Sequence, residues 1–183
     1  MSLWLFLFKL FTMKIRLSTF NDVPKIIEII NDAKAYLASH NIDQWQNGYP
    51  NAEQVENDIT NNESYVVTKN DEIIGTTMFT LRKEPTYKEV IDGKWIISEH
   101  KEPYGVIHRL ATSARHRKQG IAQFIFDELH QKLKKQNIQS LKIDTHEDNH
   151  GMQSLIKKLG YQYCGIIYTN YKAKRFAFEK VIN

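Results

Sequence analysis
The apolar positions change period along the chain, and each change predicts an element. Lys14 to Ser18 reads as a short first strand. Asn21, Asp22 and Pro24 supply helix-start chemistry. Val23, Ile26, Ile27, Ile30, Ala33 and Leu37 then recur at helical spacing, which predicts a helix burying one face. Asn41 to Asn51 is loop-like, and a second helix is expected over Glu53 to Ile59. Tyr65–Lys69 and Glu72–Leu81 form a hairpin across Asn70-Asp71. Lys83 to Pro103 is polar and irregular, with one short strand expected near Trp95. Val106 to Thr112 is a strand, followed by a turn containing Gly120. A helix to about Lys135 carries Ile121, Ile125, Leu129 and Leu133 on one stripe. Ser140 to Thr145 is the next strand, so the unit is strand–helix–strand and its two strands are expected parallel. A shorter helix over Met152 to Leu159 ends at Gly160, a C-cap glycine. Tyr161–Tyr168 and Arg175–Val181 are the last two strands. Hairpins combined with one parallel crossover define an α+β (mixed α/β) sheet.

Composition narrows the picture. The chain has 183 residues, enough for one domain with a sizeable core, and no linker or repeat divides it. Residues 1–12, M-S-L-W-L-F-L-F-K-L-F-T, read as an N-terminal hydrophobic extension to a domain over 13–183. Their apolar run is too short to span a bilayer and is interrupted by Lys9, so no membrane partner is expected. The net charge of +4 suits an anionic ligand but falls short of a nucleic-acid-binding signature. A single cysteine, Cys164, rules out an internal disulfide and points to a reducing, cytoplasmic setting. On its strand Cys164 reads as a core residue, since no neighbour would activate it.

The chemistry centres on Arg117 to Ala122, R-K-Q-G-I-A. A turn into a helix start presents free amide groups under the positive end of the helix dipole. Gly120 has no Cβ to keep a ligand from the backbone, and Arg115, Arg117 and Lys118 add charge. The combination suggests a pocket for a di- or triphosphate.

Spacing extends that reading. The block from Val106 to Tyr161 resembles the GNAT superfamily of acetyl-CoA-dependent N-acyltransferases. Arg117, Gly120 and Ala122 fit its Gln/Arg-x-x-Gly-x-Gly/Ala pattern. Asn149, Met152, Gly160 and Tyr161 fit its next block at the family spacing. The resemblance implies a central mixed sheet of about six to seven strands flanked by about four helices, with splayed fourth and fifth strands. It implies that Arg117, Lys118, Gln119, Gly120, Ile121 and Ala122 hold the pyrophosphate of coenzyme A. The pantetheine arm would pair with the backbone of Leu110, Ala111 and Thr112, and Asn149 would hydrogen-bond it. A plain helix N-cap is the alternative role for Asn149. Acetyl-CoA is then the donor, with no metal. The acceptor is a small-molecule amine, and a second copy of the chain is a candidate partner because homodimers are frequent in the superfamily.

Acetyl transfer to an amine requires removal of a proton from an ammonium whose ordinary pKa is near 10. His108 is the first candidate base. Strict alternation would set it on one face with Val106, Leu110 and Thr112. It also falls where serotonin N-acetyltransferases of the superfamily carry a histidine that serves in proton removal. Asp144 and His146 form a second candidate pair, at the end of the fifth strand and with Lys142 on the same face; a solvated or capping cluster is the alternative. Many superfamily members carry a tyrosine acid four residues before the glycine of the glycine-aromatic pair; here that position is Ile156. Tyr168 or His146 could give the proton instead, or the thiolate could leave unassisted, since thiol pKa values near 8.5 permit it. Trp45, Tyr49 and Trp95 could wall the acceptor site or simply pack loops onto the core. A longer acyl group, a peptide N-terminus as acceptor, or an acyl-CoA-binding sensor with weak catalysis remain alternatives.

Overall fold
The computed structural model describes residues 12–98 and 103–182. The proposed extension over 1–12 therefore lies outside the described residues except for Thr12. Among the described residues there are seven strands: β1 (Lys14–Leu17), β2 (Ser64–Lys69), β3 (Glu72–Thr80), β4 (Gly105–Thr112), β5 (Ser140–Thr145), β6 (Gln162–Tyr168) and β7 (Lys174–Val181). Four α-helices accompany them: α1 (Val23–Ser39), α2 (Ala52–Thr60), α3 (Ile121–Lys135) and α4 (His150–Lys158). The strands form one mixed sheet in the order β1-β2-β3-β4-β5-β7-β6. The α+β expectation holds, and helix and strand ends fall within two residues of the predicted ones.

By contacts the chain divides into two compact units. The first takes the described residues of Met1–Tyr36, Trp45–Met78 and Arg109–Phe126. Here β1 pairs antiparallel with β2, and β2 with β3. Asn70 and Asp71 both have positive φ (52° and 62°), as a two-residue type I′ hairpin demands. Val23, Ile26 and Ile30 of α1 pack on Val55 and Ile59 of α2 and Val66 of β2. These are the helical-period positions, buried because one stripe of each helix must leave water. The chain turns into α1 through a capping box: Asp22 accepts from the Thr19 amide at 2.7 Å and pairs with Arg16 at 2.7 Å. Gly75 of β3 is required for packing: a Cβ there would lie 2.8 Å from Ile121 Cγ2, at the start of α3.

The second unit takes the described residues of Leu37–Gln44, Phe79–His108 and Asp127–Asn183. Its core gathers Tyr87, Trp95, Tyr104, Val106, Cys164, Ile167 and Ala177. β5 and β6 both pair antiparallel with β7. β4 and β5 run parallel, but their ladder covers only Gly105–Ile107 against Leu141–Ile143. His108 to Thr112 continue β4 with no β5 partner among the described residues.

Two local expectations fail. Among the described residues no strand forms near Trp95; the segment has a short 3-10 turn at Pro85–Tyr87 and one bridge, Ile91 to Ile166. Buried side chains replace the ladder. The Glu179 carboxylate accepts from the amides of Ile96 (2.6 Å) and Ile97 (3.3 Å), and Lys142 donates to the Ile97 carbonyl at 3.2 Å. Lys142 is accordingly fully buried, with its ammonium 4.4 Å from the ring centre of Trp95 and 4.1 Å from that of Tyr104. Secondly, Arg109 in mid-β4 has φ of +53°. A left-handed residue breaks the period of two, so the single face expected for Val106, His108, Leu110 and Thr112 does not run through the strand.

Candidate active site
In the first unit, β4 ends at Thr112 and a 3-10 turn, Ala114–His116, leads through residues 117–120 into α3. Residues 117–120 are exposed. Gly120 has φ of +78°, and a Cβ built on it would meet nothing within 4 Å. The glycine is therefore present for its backbone angle, and the space above it is open. Lys118 is also left-handed, at +61°. The amide of Phe124 bonds the Gly120 carbonyl at 2.9 Å, so those of Ile121, Ala122 and Gln123 have no acceptor within the helix. Arg117 stacks its guanidinium 4.2 Å from the ring centre of Tyr36, and Lys69 reaches Gln119 at 3.5 Å. The turn is thus an open, cationic set of amide donors, the chemistry a pyrophosphate requires. Leu110 and Thr112 are half-buried and Ala111 is buried.

In the second unit, His108 stands between two carboxylates. Its Nε2 lies 3.1 Å from Glu84 Oε2 and its Nδ1 lies 3.7 Å from Asp144 Oδ1. Asp144 Oδ1 also accepts from the Tyr87 hydroxyl at 2.7 Å. Glu84 is oriented by its own turn: Oε1 accepts from the Thr86 amide (3.1 Å) and hydroxyl (2.8 Å). Burial would raise the Glu84 pKa, but hydrogen bonding and charge from His108 and the Thr86 donors outweigh it and hold the carboxyl at about 2. Tyr87 is fully buried, and burial together with Asp144 pushes its hydroxyl well above the ordinary range. It therefore serves as a hydrogen-bond donor to Asp144.

Asp144 is bonded to Tyr87 and faces His108, not His146. The His146 ring accepts from the Asp148 amide at 3.1 Å and its carbonyl accepts from Gln153 at 3.3 Å, so it shapes the turn before α4. Asn149 caps that helix, accepting from the Met152 amide at 3.1 Å, while its amide group donates to Gln44 at 3.0 Å. Tyr168 is about half exposed at the end of β6. Trp95 lies in the core and donates to the Tyr87 carbonyl at 2.8 Å, so it holds the segment that carries Glu84 and Tyr87. Tyr49 accepts from Arg109 in the first unit. Cys164 is buried, and burial followed by the nearby Glu179 charge raises its thiol to about 11.

The family model described as Acetyltransferase (GNAT) family matches residues 27–161. That span holds β4, the 117–122 turn, α3, β5 and α4.

The chain belongs to the GNAT acetyltransferase family.

Solved structures agree on the GNAT fold. A GNAT-family acetyltransferase from Streptococcus agalactiae is 32% identical, with a TM-score of 0.85 over 94% of this chain and 98% of that one. A structure from Staphylococcus aureus described as an acetyltransferase is 24% identical, with a TM-score of 0.70 over 92% and 99%. The PaiA N-acetyltransferase of Thermoplasma acidophilum, solved in complex with coenzyme A, is 17% identical, with a TM-score of 0.67 over 93% and 99%. A comparison with curated proteins gives no match. At the position where many GNAT enzymes carry tyrosine, Ile156 is completely buried in α4. Among the described residues, no group of three or more His, Cys, Asp or Glu side chains is placed to hold a metal. No helix among them is long and apolar enough to cross a membrane.

Glu84 and Tyr87 do not stand out in the sequence. E-P-T does signal a carboxylate folded onto a turn, with proline at the first position of the 3-10 segment. Nothing local shows that this turn lies against His108, twenty-four residues onward.

Proposed function
We propose that this protein is an acetyl-CoA-dependent N-acetyltransferase that acetylates the primary amine of a small molecule by direct attack in a ternary complex. The observation that carries the reading is His108 held between Glu84 and Asp144, on the strand that leads into the phosphate-type turn. Acetyl-CoA, when bound, supplies an acyl carbon whose bond to sulfur breaks as the bond to the amine nitrogen forms.

The open turn at residues 117–122 fits the pyrophosphate of that donor, through the helix-start amides and the side chains of Arg117 and Lys118. The backbone of Leu110, Ala111 and Thr112, unpaired with β5, is free to receive the pantetheine arm. The amide group of Asn149 would hydrogen-bond it, by exchange of its Gln44 partner. His108 takes the proton that the ammonium must lose, directly or through a water. Glu84 stabilises the imidazolium that results, and Tyr87 fixes the Asp144 carboxylate facing the other ring nitrogen. With Ile156 in place of the tyrosine acid, the thiolate leaves without a proton from α4.

The test is thiol release from acetyl-CoA across a panel of amines, with calorimetry for coenzyme A. Turnover on a small amine supports the reading. Turnover only on a peptide N-terminus or with a longer acyl donor would redirect it. Ile156 favours one second reading, an acyl-CoA-binding sensor, and binding without turnover on any amine would select that.

A further inference from the structure
Arg109 is the only non-glycine residue inside a strand with a positive φ among the described residues; the other nine lie in turns and loops. Arginine has no local hydrogen-bonding reason to adopt this conformation, unlike asparagine or aspartate. Something outside the strand must hold it there.

The holding contacts are explicit. Arg109 Nε donates to Asp58 Oδ2 at 2.8 Å and Nη2 to Asp58 Oδ1 at 2.7 Å, a two-point pair with α2. The Nη1 group donates to the Tyr49 hydroxyl. Gln54, one turn earlier on α2, donates to Asp58 Oδ1 at 3.0 Å and fixes the acceptor. Both charged side chains are below a tenth exposed, so water does not loosen the pair. A planar fork against a carboxylate sets the guanidinium's direction as well as its place. The whole arrangement lies in the first unit.

The strain sits at a telling position. The β4–β5 ladder ends at Ile107, His108 follows, and Arg109 is next. Beyond it come Leu110 to Thr112, the stretch read above as the donor-binding strand. A left-handed residue inside a strand interrupts the extended backbone and its period of two. Relaxing it would turn every later side chain and amide to the opposite face.

We infer that the Arg109–Asp58 pair is a positioning clamp, which holds Arg109 left-handed and so sets the direction in which the backbone of Leu110 to Thr112 meets the acyl donor. The inference rests on the N-acetyltransferase reading. Neither residue touches substrate in it; both act through the backbone of β4.

Two double variants of the full-length protein separate the clamp from mere stability. R109A/D58N and R109G/D58N remove the same ion pair and leave no unpaired buried charge. They differ only in the Cβ at position 109. Glycine adopts a positive φ without help, whereas alanine does not. The expected result is that R109G/D58N keeps its kcat within about threefold of wild type while R109A/D58N loses about tenfold or more, the loss that abandoning a left-handed conformation implies. Melting temperatures of the two should agree within a few degrees. Equal kcat in both variants overturns the clamp: both active means the left-handed conformation is idle, and both inactive means the guanidinium itself is needed. If R109A/D58N does not fold, D58N alone takes its place. It should lower kcat about fivefold or more by freeing the guanidinium, and an unchanged kcat would overturn the inference. A wild-type protein with no transfer to any amine strikes down the N-acetyltransferase reading itself, and the clamp with it.

Discussion
Glu84 Oε2 lies 3.1 Å from Nε2 of His108, although the two residues are separated by a proline turn and by the irregular segment that follows it. The pair joins a strand whose position the sheet dictates to a loop whose position only buried side chains dictate. Its consequences can be measured.

Replacing His108 by alanine should lower kcat/KM about 10²-fold or more. Steady-state rates with a primary amine read the loss. An unchanged kcat/KM would remove His108 from the mechanism. Glu84→Gln should retain more activity than His108→Ala, because it removes the orienting carboxylate and keeps the base.

The Glu84 carboxyl is held at about 2 by His108 and the Thr86 donors despite its burial. Its unfolded-state pKa is near 4.3. A group depressed in the folded state adds stability that is full above the unfolded value and is lost as pH falls through the folded one. For this partly solvated group the contribution is about 1–2 kcal/mol at neutral pH. Urea denaturation should therefore show wild type more stable than Glu84→Gln at pH 7, with the gap closing between about pH 4 and 2. A gap that persists at pH 2 would contradict the assignment.

Gly120 has open space around its missing Cβ but a φ of +78°. Gly120→Val should cost about 1–2 kcal/mol of stability through backbone strain. It should weaken coenzyme A binding by tenfold or more, about 1.4 kcal/mol. Calorimetry beside a denaturation curve separates the two. Full affinity in a folded variant would place the donor elsewhere.

Glu179 accepts from Ser140 at 2.5 Å as well as from the Ile96 and Ile97 amides, and it is wholly buried. Glu179→Ala leaves the Ser140 hydroxyl and the Ile96 and Ile97 amides without this acceptor. The loss should be about 3 kcal/mol or more, since each buried donor left unsatisfied costs about 1–3 kcal/mol. Because the same segment carries Tyr87, the variant that still folds should also show reduced kcat. A variant with full stability would mean the segment is held by Trp95 and Tyr87 packing alone.

Much of this was legible along the chain because it is written in short-range chemistry. The stripe on α3 predicts a buried face and Ile125, Leu129 and Leu133 supply it. The Asn70-Asp71 pair predicts a tight hairpin, and Gly160 with φ of +86° ends α4 as expected. The left-handed Gly120 before α3 and the Asn149 cap of α4 were legible because each answers to backbone geometry within one turn. The partners of His108 were not legible. Proximity in sequence matches Asp144 to His146, whereas the turn before α4 engages His146 and leaves Asp144 to Tyr87. Likewise the strand expected at Trp95 is absent, because Glu179 and Lys142, about forty-five to eighty residues away, satisfy its backbone.

The sequence by itself determined the elements, their order and the glycine turn into α3, since each rests on periods and caps that residues within a few positions impose on one another. The tertiary structure alone decided what surrounds His108 and what holds Arg109 in a left-handed conformation. Those choices depend on which distant polar groups are buried together, and the cost of leaving a buried charge or amide unpaired selects one arrangement that no local pattern reveals.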